Sequence, residues 1–238
     1  MIPSFPPVTG AGTLRVRDLG RQDYRAAWAE QLRTHAAVAG GAEPPTLLLV
    51  EHPPVITFGK KGGREHLLTD PDRLAAQGFS LYDIERGGDV TYHGPGQMVG
   101  YPILPVGRYV RNYLRDLEAA LVALLAEYGI RGEGSPGYAG VWVGDEKVAA
   151  IGVAIKRHVS FHGFALNVST DLTHFSHIVP CGIADRGVTS VSRLLGRTLT
   201  LGEVKPRLVQ SFADTFGVTV QIDAAPTFDD VGESQVKL

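Results

Sequence analysis

The chain contains one cysteine, and the residues around it suit a nucleophile. Cys181 stands between Pro180, which ends any regular strand, and Gly182, which lets the chain turn. A thiol on such a turn lies beside backbone N–H groups, which favour the reactive thiolate. A lone cysteine is more often a small buried hydrophobic residue, so the pattern needs support from elsewhere. A single cysteine also excludes an intramolecular disulfide framework.

Other reactive side chains are less telling by themselves. Lys147 follows a Gly144-Asp145-Glu146 turn, where a solvated lysine is the ordinary interpretation. Among the eight histidines, His93 and His162 each precede a glycine, and His174 and His177 are three residues apart. None of them shows i, i+4 spacing on a predicted helix or the Cys/His clustering of a zinc site, so we expect no metal. A Gly-x-Ser-x-Gly elbow, which a serine hydrolase of the α/β type would carry, is absent from the sequence.

The segment from Arg86 to Pro102 carries most of the information. Five glycines and two prolines are interleaved there with an arginine, an aspartate, a histidine and two tyrosines. Glycine allows positive φ and close approach to the backbone, so the segment predicts the wall of a ligand pocket. A dinucleotide fingerprint does not fit, because the third glycine comes one place late, Pro95 interrupts the pattern and no helix follows.

Bulk composition limits the class of protein. The 238 residues are 44% hydrophobic and 20% charged, which suits one large soluble domain. A net charge of −2 predicts no general attraction to nucleic acid or to a membrane, so any charged docking surface is local. The N-terminus has no signal-peptide pattern and no apolar run reaches spanning length. These features, with the single cysteine, indicate the cytoplasm.

Periodicity predicts an α+β fold with a mixed or antiparallel sheet covered by helices. We expect a meander of strands at 141–143, 147–155 and 159–167, and further strands at 13–18, 46–50, 81–84 and 98–104. Helices are expected over 21–39, with Tyr24, Trp28, Leu32 and Ala36 on its apolar face, over 110–128 and over 200–216. Residues 1–12 are predicted to pack poorly, 13–222 to form one catalytic domain, and 223–238 to form a polar tail.

The motifs together resemble those of the lipoyl(octanoyl) transferases, from about residue 13 to residue 216. The resemblance is carried by Arg86 to Gln97 and by these segments in order: Asp18-Leu19-Gly20 with Tyr24, Glu51-His52-Pro53-Pro54 leading to Phe58-Gly59, Gly140-Val141-Trp142, Lys147 to Gly152, His162 to Val168, and Ile178 to Gly182. It implies the fold of the biotin and lipoate protein ligases and a monomer. It also implies that Cys181 is the nucleophile and Lys147 its partner, with no cofactor and no metal.

The resemblance further implies the substrates and the site. The donor would be an octanoyl or lipoyl group on acyl carrier protein. The acceptor would be a specific lysine on lipoyl domains of 2-oxoacid dehydrogenase complexes or on the H protein of the glycine cleavage system. The residues expected to bind the acyl chain are Arg86, Gly87, Gly88, Asp89, Val90, Thr91, Tyr92, His93, Ala150, Ile151, Gly152, Gly163, Phe164 and Ala165. Since the partners are generally acidic, Lys60, Lys61, Arg64, Lys156 and Arg157 are candidate docking residues.

Two alternatives stay open on the sequence. An ATP-dependent lipoate or biotin ligase shares the implied fold, but it activates the acid as an adenylate, needs no cysteine and carries a three-glycine run. A non-catalytic acyl-binding protein would keep the pocket without the reactive pair. The presence of Cys181 together with Lys147, and Arg86-Gly87-Gly88-Asp89 without a third glycine, favour the transferase.

Overall fold

A large mixed sheet forms the centre of the molecule. The computed structural model describes residues 12–135, 137–179 and 186–223. Nine strands of these described residues form the sheet: β1 (Thr13–Arg21), β2 (Thr46–Glu51), β6 (Gln97–Ile103), β7 (Glu133–Ser135), β8 (Tyr138–Val143), β9 (Glu146–Lys156), β10 (Val159–Asn167), β11 (Gly187–Val188) and β12 (Thr219–Ile222). Their order across the sheet is β12-β1-β2-β6-β10-β9-β8-β7, with β11 beside β9. Neighbours from β2 to β7 are antiparallel, whereas β1 pairs in parallel with β2 and β12.

Both faces of the sheet are covered by helices. The helices are α1 (Tyr24–Ala39), α2 (Pro71–Ala76), α3 (Val110–Glu127), α4 (Val191–Leu195) and α5 (Leu201–Phe216). Alternate residues of a strand point to opposite faces. On β2, Leu47 and Leu49 accordingly join the core under α3 and α5, whereas Leu48 and Val50 join the core under α1. The sheet interior is therefore buried on both sides, which explains the continuous apolar run of β2.

A second, smaller sheet of the described residues lies beside the first. Strands β3 (Val55–Phe58), β4 (Ser80–Asp83) and β5 (Val90–His93) form it in the order β4-β3-β5. One face of this sheet packs into a separate apolar cluster with Phe79, Phe175 and Ile178. The glycine-rich segment passes from this small sheet, through β5, to the large sheet, through β6.

Most elements agree with the sequence patterns. The meander, the long helix α3 and the final helix α5 are confirmed within one or two residues, except that the predicted first strand at 141–143 starts earlier, at Tyr138. Gly129 follows α3 with φ of 72°, the left-handed conformation expected of a glycine at a helix end. Thr200 caps α5 in a capping box with Glu203.

The predicted apolar face of α1 is confirmed at Tyr24 and Trp28, which pack in one apolar cluster, and is wrong at Leu32 and Ala36. Leu32 is 44% exposed and Ala36 is exposed as well, whereas Ala27, Gln31 and Val38 are buried. A step of four residues overshoots one helical turn by about 40°, so a strict i, i+4 line drifts around the helix. Polar Gln31 belongs to the buried stripe because its Oε1 accepts the backbone N–H of His162 at 3.0 Å.

The glycine-rich segment also differs from a simple loop, since β5 and the first six residues of β6 lie within it. Within the described residues, no helix combines the length and the apolar character that crossing a membrane requires.

Candidate active site

Two cross-strand pairs of small residues line a channel between the two sheets. Gly152 on β9 pairs with Gly163 on β10, and two positions along Ala150 pairs with Ala165. The channel encloses about 500 Å³ of space between atoms, part of it open to solvent. Because Ala150 and Ala165 carry only a methyl group, the sheet leaves room for a slender ligand beside them.

Twelve of the fourteen residues predicted to bind the acyl chain line this channel. They are Arg86, Gly88, Asp89, Val90, Thr91, His93, Ala150, Ile151, Gly152, Gly163, Phe164 and Ala165. Gly87 lines the neighbouring groove instead. The side chain of Tyr92 lies on the other face of β5, where its hydroxyl contacts His174 Nδ1 at 2.7 Å.

Arg86 holds the glycine loop in place. Its side chain is buried, and Nη2 donates hydrogen bonds to the Thr57 carbonyl oxygen at 2.8 Å and to the Thr57 hydroxyl at 3.1 Å. The backbone N–H of Gly87 donates to the carbonyl oxygen of Val153 at 2.8 Å. The loop is thus fixed to β3 in the small sheet and to β9 in the large sheet, so it forms a rigid wall of the channel.

Glycine at position 152 allows a close approach in this arrangement. A Cβ atom there would lie 3.0 Å from Arg86 Cδ and 3.0 Å from the Gly87 carbonyl oxygen. The absent side chain therefore lets the loop pack directly onto β9. This glycine therefore serves the close approach of two backbone segments.

One end of the channel is lined by residues that the sequence patterns missed. Tyr24, Val99, Tyr101 and His162 lie there. His162 is 1% exposed and has φ of 54°, a left-handed conformation that is uncommon outside glycine. Its Nε2 lies 3.4 Å from Oε2 of Glu85, a long distance for a hydrogen bond. Burial lowers the pKa of His162, whereas the contact with Glu85 acts in the opposite direction.

Neutral histidines surround this end of the channel. His52 Nδ1 donates a hydrogen bond to the Gln22 carbonyl oxygen at 2.9 Å, so in the neutral ring Nε2 accepts one from the Tyr101 hydroxyl at 2.7 Å. Burial lowers the pKa of His52 to about 4 and that of His93 to about 3. Both rings are therefore uncharged at neutral pH, which keeps the end of the channel free of net imidazolium charge.

Lys147 lies where the channel reaches the protein surface. The residue stands near the start of β9 and is 7% exposed. It lines an inner pocket of about 310 Å³ together with Thr91, Ala150 and Ala165, all of which also line the channel. It also lines an outer groove of about 1040 Å³ with Lys61, Val110 and Tyr138. A ligand that extends from the channel to the surface therefore passes Lys147.

Cys181 lies outside the described residues, within the gap at 180–185. The residues on either side of the gap are placed. Val179 donates its backbone N–H to the His66 carbonyl oxygen at 2.9 Å, and Val188 pairs with Lys147 across β11 and β9. The chain on the C-terminal side of the gap thus runs directly beside the lysine.

The histidine pair at 174 and 177 has structural contacts. His174 bonds Tyr92, and His177 Nδ1 lies 2.9 Å from the Thr69 hydroxyl. Within the described part of the chain, no three His, Cys, Asp or Glu side chains cluster in a way that could hold a metal ion.

Comparison with known proteins decides the family. The family model for the lipoyl protein ligase A/B catalytic domain matches residues 23–213. The chain belongs to this family. Among its curated relatives, the octanoyltransferase of Geobacter metallireducens is 46% identical over 84% of this chain and 92% of its own length. The octanoyltransferase of Caldicellulosiruptor saccharolyticus is 41% identical over 94% of this chain and 97% of its own length.

Some relatives are longer than this chain. The octanoyltransferase of Myxococcus xanthus is 44% identical over 94% of the chain, which covers 65% of that protein. The catalytic-domain match and these relatives identify an acyltransferase that acts in protein lipoylation.

Solved structures of lipoate ligases share the fold. Lipoate-protein ligase A bound with ATP superimposes with a TM-score of 0.72 at 18% identity, covering 90% of this chain and 89% of that one. The bi-partite lipoate protein ligase from Thermoplasma acidophilum gives a TM-score of 0.70 at 19% identity, covering 90% and 86%. The α+β prediction and its ligase-like architecture are confirmed.

Proposed function

We propose that this family member transfers an octanoyl group from acyl carrier protein to a lysine of a lipoyl domain through a thioester on Cys181. The observation that carries the proposal is the channel of small residues that leads from the end lined by Tyr24 and Tyr101 to Lys147. An apolar, unbranched acyl chain fits such a channel, since its walls offer shallow side chains and few charges. Its thioester end would then lie beside Lys147.

The first half-reaction exchanges one thioester for another. The Cys181 thiolate attacks the carbonyl carbon of the donor thioester, a new carbon–sulfur bond forms, and the donor's thiol leaves. The ammonium of a nearby lysine stabilises the attacking thiolate and supplies a proton to the leaving sulfur. Because both bonds are thioesters, this step is close to thermoneutral and needs no ATP.

The second half-reaction makes an amide. The amine of the acceptor lysine attacks the Cys181 thioester, the carbon–sulfur bond breaks, and Cys181 leaves as the thiolate that began the cycle. Lys147, uncharged after the first step, accepts the proton that the amine loses. An amide is more stable than a thioester, so transfer is downhill without a nucleotide.

Of the candidate docking residues near the outer groove, Lys61 suits an acidic partner protein better than Arg64 does. Lys61 lines it with Lys147, and the backbone N–H groups of Lys60 and Lys61 donate to the glycine loop at Arg86 and Gly88. Arg64, in contrast, pairs with Asp83 at 2.8 Å and lies over the Phe58 ring at 4.1 Å. Its charge is already compensated.

Lys156 and Arg157 occupy the far end of β9 from Lys147. Lys156 follows Lys147 by nine positions along the strand, a distance of about 30 Å at ~3.3 Å per residue. We therefore assign the docking of an acidic carrier protein to the Lys60–Lys61 side.

The thioester is tested by intact-protein mass spectrometry after incubation with octanoyl carrier protein and no acceptor. We expect one octanoyl adduct, removed by hydroxylamine and absent from Cys181→Ala. Transfer from free octanoate that requires ATP would identify a ligase instead. Carrier binding without any transfer would identify an acyl-binding protein.

A further inference from the structure

Trp142 contacts two cationic side chains at the candidate active site. The Nζ atom of Lys147 lies 4.7 Å from the centroid of the Trp142 ring, and Cζ of Arg186 lies 4.9 Å from the same centroid. The tryptophan is 2% exposed. A cation close to an aromatic ring is attracted by the ring's quadrupole, and the attraction strengthens where water is excluded. One buried ring therefore orients two positive charges.

The strand register places these side chains together. Trp142 on β8 and Lys147 on β9 are direct cross-strand partners, so their side chains extend from the same face of the sheet. On the other side of Lys147, β11 pairs in parallel with β9, and Arg186 immediately precedes it. The lysine thus has the ring on one neighbouring strand and the arginine's segment on the other.

Arg186 is held by further contacts with the β7–β8 hairpin. Its guanidinium lies 5.8 Å from the Tyr138 ring, and Nη1 donates to the Ser135 hydroxyl at 3.5 Å. In the sequence Arg186 follows Cys181 by five positions. The hairpin therefore anchors the chain shortly after the proposed nucleophile and orients the proposed proton carrier through the same ring.

We propose that Trp142 and Arg186 are positioning residues for acyl transfer, an inference that rests on the proposed function. The Trp142 ring holds the Lys147 ammonium in one orientation. Through its contact with the same ring, Arg186 holds the chain on the C-terminal side of the segment that contains Cys181. Neither side chain is among those lining the channel or the groove, so neither contacts the acyl chain. Their loss lowers the rate of the chemical step and leaves the KM for the donor unchanged.

Because the chain has a single cysteine, iodoacetamide reports on Cys181 without transfer taking place. We expect Trp142→Leu to slow alkylation at pH 7 by about tenfold, because an ammonium that is no longer oriented stabilises the thiolate less. Trp142→Phe keeps an aromatic face and is expected to stay within about threefold of the native rate. Arg186→Gln removes the second contact, and its alkylation rate is expected to lie between those of the two Trp142 variants.

The matched control is Arg207→Gln. Arg207 lies 4.7 Å from the Tyr128 ring, so this variant also removes an arginine–aromatic contact, but between α5 and the end of α3. We expect it to alkylate at the native rate. The same ranking is expected for the single-turnover rate of octanoyl-enzyme formation, with an unchanged KM for octanoyl carrier protein.

Two results would overturn the positioning role. In one, Trp142→Leu and Arg186→Gln react at the native rate in both assays. In the other, Trp142→Phe is as slow as Trp142→Leu, which would assign the effect to packing volume alone. Arg186→Gln keeps the inference testable if the buried tryptophan variants fail to fold. If native protein forms no octanoyl adduct, the proposed function fails, whereas the alkylation ranking still tests the positioning of Lys147.

Discussion

Gly152 and Gly163 are direct cross-strand partners, and a methyl group would be tight at Gly152 and would clash at Gly163. A Cβ at Gly163 would lie 2.2 Å from the Gly100 carbonyl oxygen, and one at Gly152 would lie 3.0 Å from the Gly87 carbonyl oxygen. One glycine lets β10 approach β6, and the other lets the glycine loop approach β9. The pair therefore determines the distance between the walls of the channel.

Gly163→Ala is expected to lower the free energy of unfolding by about 1–3 kcal/mol, because backbone atoms of β6 have to move. Gly202→Ala is the matched control. In the first turn of α5, its Cβ would meet only the Thr200 hydroxyl at 3.9 Å, and alanine favours a helix by up to about 1 kcal/mol. Urea unfolding of both variants measures the contrast. Equal stabilities would contradict the steric account.

The width of the channel at Ala165 is expected to set acyl chain length. Ala165 lines both the channel and the inner pocket, so Ala165→Leu fills the passage between them. We expect kcat/KM to fall at least about tenfold for an octanoyl donor and to change little for a butyryl donor. Ala36→Leu, which adds the same bulk at an exposed position of α1, is the control. A uniform loss for both donors would place the effect outside the channel.

Stability is expected to fall as the pH drops below about 6.5. Burial depresses the pKa of His52 to about 4 and of His93 to about 3 from 6.5, so the unfolded chain binds more protons between these values. The stabilisation is complete above pH 6.5 and is lost progressively down to the folded pKa values. Each histidine contributes on the order of a few kcal/mol.

Urea unfolding at several pH values between 4.5 and 7.5 measures this dependence. His93→Gln is expected to flatten the slope by about one proton. His158→Asn removes an exposed histidine and is expected to leave the slope unchanged. A slope that is the same in all three proteins would show that the buried histidines do not govern acid sensitivity.

Docking of an acidic carrier protein is expected to depend on Lys61 and not on Lys156. Both lysines are exposed, but only Lys61 lines the groove that contains Lys147. Lys61→Glu is expected to raise KM for the donor several-fold and to weaken its dependence on ionic strength, because a steering charge is reversed. Lys156→Glu carries the same charge change about 30 Å along β9 from Lys147. Equal effects of the two variants would indicate steering by net charge alone.

Local patterns predicted much of this fold. The helix α3 could be read from its apolar stripe and the glycine that ends it, and the meander from the turn at Gly144. The strand β3 was missed, since a segment of four residues after two prolines is too short to show a period. Its burial depends on Phe79 and Phe175, which are distant in sequence.

The candidate site was likewise predicted only where the signal was local in sequence. The glycine-rich segment identified one wall of the channel, because glycines between polar residues are a local signal. Tyr101 and His162 were missed as lining residues since the strands that bring them together pair over long separations. Trp142 and Arg186 appear beside Lys147 only once the register of β8, β9 and β11 is known.

The parallel pairing of β1 with β12 has a consequence for synthesis of the chain. Thr13 and Thr219, which are register partners, are 206 residues apart, and Arg15 pairs with Asp223 at 2.7 Å. On the ribosome, β1 can pair with β2 early, but its other edge stays open until the last strand has emerged. Contacts this distant in sequence form late and slow folding. This edge of β1 therefore lacks its β12 partner while the residues between the two strands are synthesised, which is a period when a chaperone can bind it.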